Sequence, residues 1–133
     1  MKAVIEEPGS YIVTPILGRP GEILTCRITY PEARAAVAAA RRAGRLDISD
    51  ATNATLDLEA AWRRLAVVEV SPRVALLGGD LAESHALRGY DAAHLAAALA
   101  TDPECAFVTW DRNLWNAARA EGLSVLPREQ PGA

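Results

Sequence analysis

Short apolar runs alternate with longer stretches of helical periodicity along most of this chain. Four apolar runs predict strands, at residues 23–28, 66–70, 105–109 and 123–126. The intervening patterns predict helices from Pro31 to about Gly44 and over about 49–65, 72–87, 91–100 and 112–121. An earlier apolar run, 10–17, contains a proline that limits any helix there. Strands separated by helices indicate an α/β sandwich with a mainly parallel central sheet.

Capping and turn residues locate several of the predicted helix ends. The Thr29-x-x-Glu32 spacing predicts a capping box at the start of the first helix, and Gly44 is expected to end it. Ser49 or Asp50 is the expected cap of the second helix. Ser71-Pro72 opens the third, which we expect to be loosened at Gly78-Gly79, and Arg88-Gly89 is interpreted as a turn.

Composition predicts one domain over residues 1–127 and a polar tail over 128–133. The net charge of −3 argues against broad nonspecific nucleic-acid binding, but it allows a local site where a metal ion neutralises acids. The start of the chain lacks a signal-peptide pattern and no apolar run reaches membrane-spanning length, so we expect a cytoplasmic protein. Cys26 and Cys105 lie in apolar runs and are expected to be buried, reduced thiols without zinc.

Three acids stand where an apolar run gives way to a helical pattern: Glu32, Asp91 and Asp111. Each has a structural alternative, because Glu32 fits a capping box and both aspartates stand where helix caps belong. Together they are more informative, since such junctions lie on one edge of a parallel sheet and acids distant in sequence can meet there. We therefore predict a cluster of carboxylates.

Helical spacing predicts which faces carry two of these acids. Glu32 shares a face with four alanines, and Asp91 heads a face of three apolar residues and a histidine. Both faces are expected to point toward the core. The residues concerned are Ala35, Ala36, Ala39 and Ala43 in the first helix, and His94, Leu95, Ala98 and Leu99 in the later one.

Mutual repulsion makes such a cluster dependent on a cation. At a separation of about 5 Å and an effective dielectric of about 20, each pair of carboxylates repels by about 3 kcal/mol. Three pairs approach the whole stability of a typical domain, about 5–15 kcal/mol. The cluster must therefore take up protons or bind a metal ion, and oxygen ligands favour Mg²⁺ or Mn²⁺. Such an ion would hold a phosphate oxygen and activate water.

Other polar and aromatic residues are weaker candidates. His94 is expected to pack in the core or to donate a supporting hydrogen bond, and His85 to be exposed near a helix end. Arg112, beside Asp111, is the candidate for contacting a substrate phosphate. A stripe of Arg34, Arg41 and Arg45 is interpreted first as a solvated or partner-binding face and second as an RNA contact, and Trp62, Trp110 and Trp115 as packing groups. A phosphoacceptor domain is disfavoured because the only lysine is Lys2.

Several motifs resemble those of the PIN-domain ribonuclease toxins of bacterial toxin–antitoxin pairs, the VapC type. The most specific motifs are RGYDAAHLA and VTWDRNL. Further matching segments are IEEPGS at 5–10, RITYPEARAA at 27–36 and LAVVEV at 65–70. The resemblance implies a PIN-like three-layer α/β/α sandwich and a metal-dependent endoribonuclease with a cognate antitoxin, commonly a homodimer. By motif, Glu32, Asp91 and Asp111 become three of the family's acidic metal ligands, and Thr109 and Asn113 become supporting polar groups.

The chain departs from the family pattern at its start. Such toxins open with a hydrophobic strand ending in Asp, before the segment that aligns with residues 2–10, and neither Glu6 nor Glu7 matches that Asp. The missing strand would contribute about 6–15 kcal/mol of apolar burial. We therefore expect the natural coding sequence to begin upstream of Met1. The alternative function is a catalytically impaired PIN-like module that binds an antitoxin or a PIN partner without cutting RNA.

Overall fold

A computed structural model describes residues 23–102 and 104–132, and within these ranges the alternation of strands and helices is confirmed. The elements in chain order are β1 Leu24–Cys26, α1 Thr29–Arg42, α2 Ile48–Trp62, β2 Ala66–Val68, α3 Pro72–His85, α4 Gly89–Thr101, β3 Ala106–Val108, α5 Arg112–Ala120 and β4 Ser124–Leu126. The apolar run 10–17 and the motif at 5–10, with Glu6 and Glu7, lie outside the described residues.

All strand pairing within the described residues is parallel, as predicted. β1 pairs with β2 so that Leu24 lies opposite Ala66, and β3 pairs with β4 so that Ala106 lies opposite Ser124. Parallel neighbours need a long crossover, which α1 and α2 supply for the first pair and α5 supplies for the second. These described strands form two separate two-stranded pairs.

The main hydrophobic core is built around α4. Ala92, Leu95 and Ala96 of this helix are fully buried. α3 packs closely against it at Gly78, where an added Cβ would lie 3.6 Å from the Cα of Ala93. α3 continues without a break from Pro72 to His85, so the predicted loosening at the two glycines is wrong. The absence of a side chain at Gly78 permits a close helix–helix contact here rather than a bend.

The predicted capping box of α1 is wrong, whereas its predicted end is confirmed. The helix is preceded by Ile28, and no side chain caps it. Thr29 Oγ1 accepts a hydrogen bond from Thr25 Oγ1 at 2.8 Å instead of capping, because Thr29 is buried against β1. Gly44 adopts φ +78°, and its N–H and that of Arg45 bond back to α1 carbonyls at 3.0 and 2.9 Å, a Schellman ending.

The caps of α2 and α3 show one correction and one confirmation. Asp47, rather than Ser49 or Asp50, caps α2 by accepting the Asp50 N–H at 2.7 Å, and Asp50 completes the capping box. Ser71 caps α3 as predicted, accepting the N–H of Val74 at 3.2 Å.

The predicted thiols and tryptophans are confirmed in part. Both cysteines are free, and Cys26 is buried whereas Cys105 is half-buried. Burial raises the pKa of both thiols. Trp115 is buried and donates to the Pro127 carbonyl at 2.8 Å. Trp62 packs edge-on against the ring of Tyr30, whereas Trp110 is exposed. None of the helices in the described ranges is long and apolar enough to cross a membrane.

Candidate functional site

Asp91 occupies the first turn of α4 and is almost completely buried. Its exposed fraction is 2%, although it is an acid at a helix start. One of its partners is Arg88, whose Nε donates to Asp91 Oδ2 at 3.0 Å. The N-terminal position also places the carboxylate at the positive end of the α4 dipole. A buried carboxylate needs such charge compensation, because its desolvation is otherwise strongly unfavourable.

Asp111 follows β3 and performs two roles with its two carboxylate oxygens. Oδ1 accepts the N–H of Leu114 at 2.8 Å and so caps α5, which confirms the capping interpretation. Oδ2 is directed elsewhere and lies 3.6 Å from Arg88 Nη2. The backbone N–H of Asp111 donates to Oγ1 of the fully buried Thr109 at 3.1 Å. Thr109 therefore supports Asp111 through the backbone, the kind of supporting role that the family resemblance implies.

Arg88 joins the two aspartates and was missed in the sequence, where it was interpreted only as part of a turn. Its guanidinium contacts both carboxylates and lies 4.8 Å from the centre of the Tyr90 ring. The hydrogen bond to Asp91 raises the pKa of Arg88, with the negative charges of Asp91 and Asp111 adding to the effect. The i, i+3 spacing of Arg88 and Asp91 was the available signal. Its link to Asp111, 23 residues later, needed the fold.

Glu32 reaches the same helix through a different residue. Its Oε1 lies 2.5 Å from Nε2 of His94, one turn after Asp91 on α4. His94 is buried, so the prediction that it packs in the core or donates a supporting hydrogen bond is confirmed. The buried face of α4 is also as predicted at Leu95.

The predicted core-facing side of α1 is wrong. Its buried residues are Thr29, Ala33, Val37 and Ala40 rather than the alanines in line with Glu32. Glu32 lies at the edge of that buried face, with its side chain 30% exposed. This position leaves the carboxylate accessible to both His94 and solvent.

The fold thus brings the three predicted acids to one end of α4 without assembling them into a finished metal site. Asp91 and Asp111 converge on one guanidinium, and Glu32 is attached one turn away by His94. Within residues 23–102 and 104–132, no group of three His, Cys, Asp or Glu side chains is arranged to hold a metal ion. The donor chemistry nevertheless fits a hard divalent cation, since two carboxylates already face one positive group.

The remaining candidates lie on the surface nearby or elsewhere. Arg112 and Asn113 occupy the exposed first turn of α5, directly after Asp111. Arg34 is exposed and donates to the hydroxyl of Tyr30 at 2.9 Å. The prediction that His85 is exposed is wrong: its side chain is 19% exposed and its Nε2 lies 2.8 Å from a carboxylate oxygen of Glu121.

This chain resembles known proteins over nearly its whole length. Residues 1–120 match the model of the PIN domain. The chain belongs to the PIN-domain family. It is 40% identical over 130 residues to Ribonuclease VapC45 and to Ribonuclease VapC49, from two strains of Mycobacterium tuberculosis. Each alignment covers 97% of this chain and 90% of the relative. The predicted α/β PIN-like fold and VapC-type membership are therefore confirmed.

Proposed function

We propose that this PIN-domain protein is a metal-dependent endoribonuclease, the toxin of a VapC-type toxin–antitoxin pair. Two relatives that share 40% identity over nearly the whole chain carry the name ribonuclease. The observation that carries the proposal is the convergence of Asp91 and Asp111 on one positive group at the start of α4. Ribonucleases with a PIN domain generally depend on a divalent metal ion.

Asp91, Asp111 and Glu32 are the residues that would hold the metal ion. Their oxygen donors favour Mg²⁺ or Mn²⁺ over softer metals. When bound, such a cation supplies a Lewis acid for the RNA phosphate and lowers the pKa of bound water. His94 orients Glu32, and Thr109 fixes the backbone of Asp111.

Arg112 and Asn113 extend this site toward the substrate. Both are exposed directly beside Asp111, where a guanidinium can contact an RNA phosphate and an amide can support it. The net charge of −3 gives little general attraction to RNA, so binding depends on these local contacts. A cognate antitoxin and a second copy of this chain are the protein partners that belong to the proposal.

Cleavage of RNA by purified protein tests the proposal. With Mg²⁺ the wild type should cut a single-stranded RNA, and EDTA should stop it. Asp91→Asn should lower the rate by more than about 100-fold, because removing even an outer partner of a metal ligand typically has a 10–100-fold effect. Arg42→Gln is the control, since Arg42 is exposed and lies ten residues, or about 15 Å, along α1 from Glu32. Undiminished cleavage by folded Asp91→Asn protein would refute the assignment.

A matched pair at Asp111 separates the structural role from the chemical one. Asparagine caps a helix about as well as aspartate, so Asp111→Asn should keep α5 and lose cleavage. Asp111→Ala should lose cleavage and also about 1 kcal/mol of stability with the cap. Equal cleavage by the wild type and Asp111→Asn would restrict Asp111 to capping.

The alternative function, a PIN-like module that binds a partner without cutting RNA, is not favoured. It would give metal-independent partner binding and no cleavage even in concentrated protein. The ribonuclease names of both relatives point to the enzyme instead.

A further inference from the structure

Arg88 stands in the place where a cation is needed between two carboxylates. Its Nε donates to Asp91 Oδ2 at 3.0 Å, and its Nη2 lies 3.6 Å from Asp111 Oδ2. We propose that Arg88 is a built-in counter-ion that competes with the divalent metal ion for Asp91 and Asp111. The inference rests on the proposed metal site and adds a residue that sets the affinity of that site.

A guanidinium and a divalent ion held against the same two carboxylates repel each other, because both are positive and both draw on the same negative charge. Mg²⁺ binds carboxylate oxygens at about 2.0–2.1 Å in a nearly ideal octahedron. Asp91 Oδ2 already accepts from Arg88, and the side chain of Asp91 is only 3% exposed, which limits its freedom to turn. An ion bound to the oxygens that face Arg88 therefore weakens the hold of the carboxylates on the guanidinium. Since arginine stays protonated at all ordinary pH values, this competition persists across the working range.

The surroundings of Arg88 allow the guanidinium to withdraw. Its side chain is 58% exposed, so the head group can move into water without crossing the core. Its contact with Asp111 is longer than an ordinary hydrogen bond and is easily given up. The Tyr90 ring, 4.8 Å from the guanidinium carbon, offers a cation–π contact that can be kept while the carboxylates are released. The buried Asp91 is the fixed partner, and Arg88 is the movable one.

The expected consequence is a weakened apparent affinity for metal. The apparent dissociation constant is the intrinsic one divided by the fraction of molecules in the binding-competent state. If Arg88 occupies the site in about nine molecules of ten, removing it should tighten metal binding about tenfold. A side chain that merely stabilised the fold would give no such gain.

Calorimetric titration with Mn²⁺ and Mg²⁺, without RNA, tests the competition. Arg88→Gln should bind about tenfold more tightly than the wild type, while Arg42→Gln should match the wild type. Arg88→Lys keeps the charge but loses the planar fork, so it should fall between the two. In EDTA the melting temperature of Arg88→Gln should be below that of the wild type, and its rise on adding metal should be larger.

The outcomes distinguish this inference from the function on which it rests. If the wild type binds metal and Asp91→Asn does not, the metal site stands, and equal or weaker binding by Arg88→Gln overturns the competition alone. If neither the wild type nor Arg88→Gln binds metal, the proposed metal site itself fails. Should Arg88→Gln not fold, Arg88→Lys decides: binding tighter than the wild type supports the competition, and binding no tighter refutes it.

Discussion

Two regions of the molecule hold the acids of the candidate site in different ways. The region of α3, α4, β3, α5 and β4 contains most of the main core and holds Asp91 and Asp111 by burial, a helix cap and a shared arginine. The pair α1 and α2 shares a smaller cluster, made of Ala33 and Leu58 with Tyr30 packed against them. Glu32 lies on this pair, and His94 from the other region is the partner that holds it.

The difference shows how one site can combine a fixed part and an adjustable part. Asp91 and Asp111 follow the packing of the main core, so their separation is set by the fold. Glu32 follows the position of α1, which shares the smaller cluster with α2 and contacts α4 through His94. In the proposed metal site, the two aspartates are therefore the fixed part, and Glu32, whose side chain is 30% exposed, is the adjustable part.

The largest expected effect comes from truncating one buried leucine in each region. If the two regions differ as described, the leucine of the main core should contribute more to the free energy of unfolding. Leu114 is fully buried in the main core and Leu58 is 1% exposed in the smaller cluster. Leu114→Ala should lower the free energy of unfolding by about 2–5 kcal/mol. Leu58→Ala should fall at the lower end, because its cluster is small and the half-buried Tyr30 packed against it can move into the cavity. Urea denaturation measures both, and a larger loss for Leu58→Ala would contradict the ranking.

The contact between Glu32 and His94 links the two regions, and removing it tests how much Glu32 contributes to metal binding. His94→Ala should weaken Mn²⁺ binding about tenfold, since residues that orient a metal ligand typically contribute 10–100-fold. His94→Gln keeps an N–H donor and should recover part of the loss. Calorimetry reports the affinity, and circular dichroism checks that the helices persist. Wild-type affinity in both variants would show that Glu32 is positioned without His94.

The smallest effect is expected from a surface ion pair directly after β1 and β2. Arg27 Nε donates to Glu69 Oε1 at 2.9 Å across the ends of β1 and β2, and this hydrogen bond lowers the pKa of Glu69 below its ordinary value of 4.5. A lowered pKa means that the contribution is present above pH 4.5 and is lost as the pH falls through the lowered value. Both groups are solvent-exposed, so the contribution is small and salt-sensitive.

Melting curves at pH 7 and at pH 3 check this assignment with a Glu69→Gln variant. The variant should melt slightly below the wild type at pH 7 in low salt, and the gap should narrow at pH 3 and in high salt. A gap that widens at acid pH would reverse the sign of the linkage.

Local sequence patterns predicted most of the described fold, because strands and helix ends are largely determined by residues close to one another in the sequence. The apolar runs placed all four described strands, and the Ser71 cap and the Gly44 ending follow from backbone needs at single positions. The cap of α1 failed for a tertiary reason. Thr29 is buried against Thr25 and Glu32 turns toward His94, so both capping side chains are engaged by other elements.

The site was predictable as a set of acids but not as an arrangement. Asp111 had a visible role at the end of a strand, and Asp91 headed a buried face. The sequence could not predict Arg88 as a partner of Asp111, because only the folded chain brings residues 88 and 111 together. The predicted orientation of α1 around Glu32 was wrong, because an alanine-rich helix shows little difference in hydrophobicity between its faces.

Two aspartates from separate segments, meeting around one divalent cation, form the centre of the proposed site. A crystal grown with Mn²⁺ and measured near the manganese absorption edge tests this most directly. We expect one strong anomalous peak within bonding distance of Asp91 and Asp111, with Glu32 joined directly or through water and Arg88 withdrawn toward Tyr90. Crystals of Mn²⁺-saturated protein with no peak at these carboxylates, or with the peak on another surface, would contradict it.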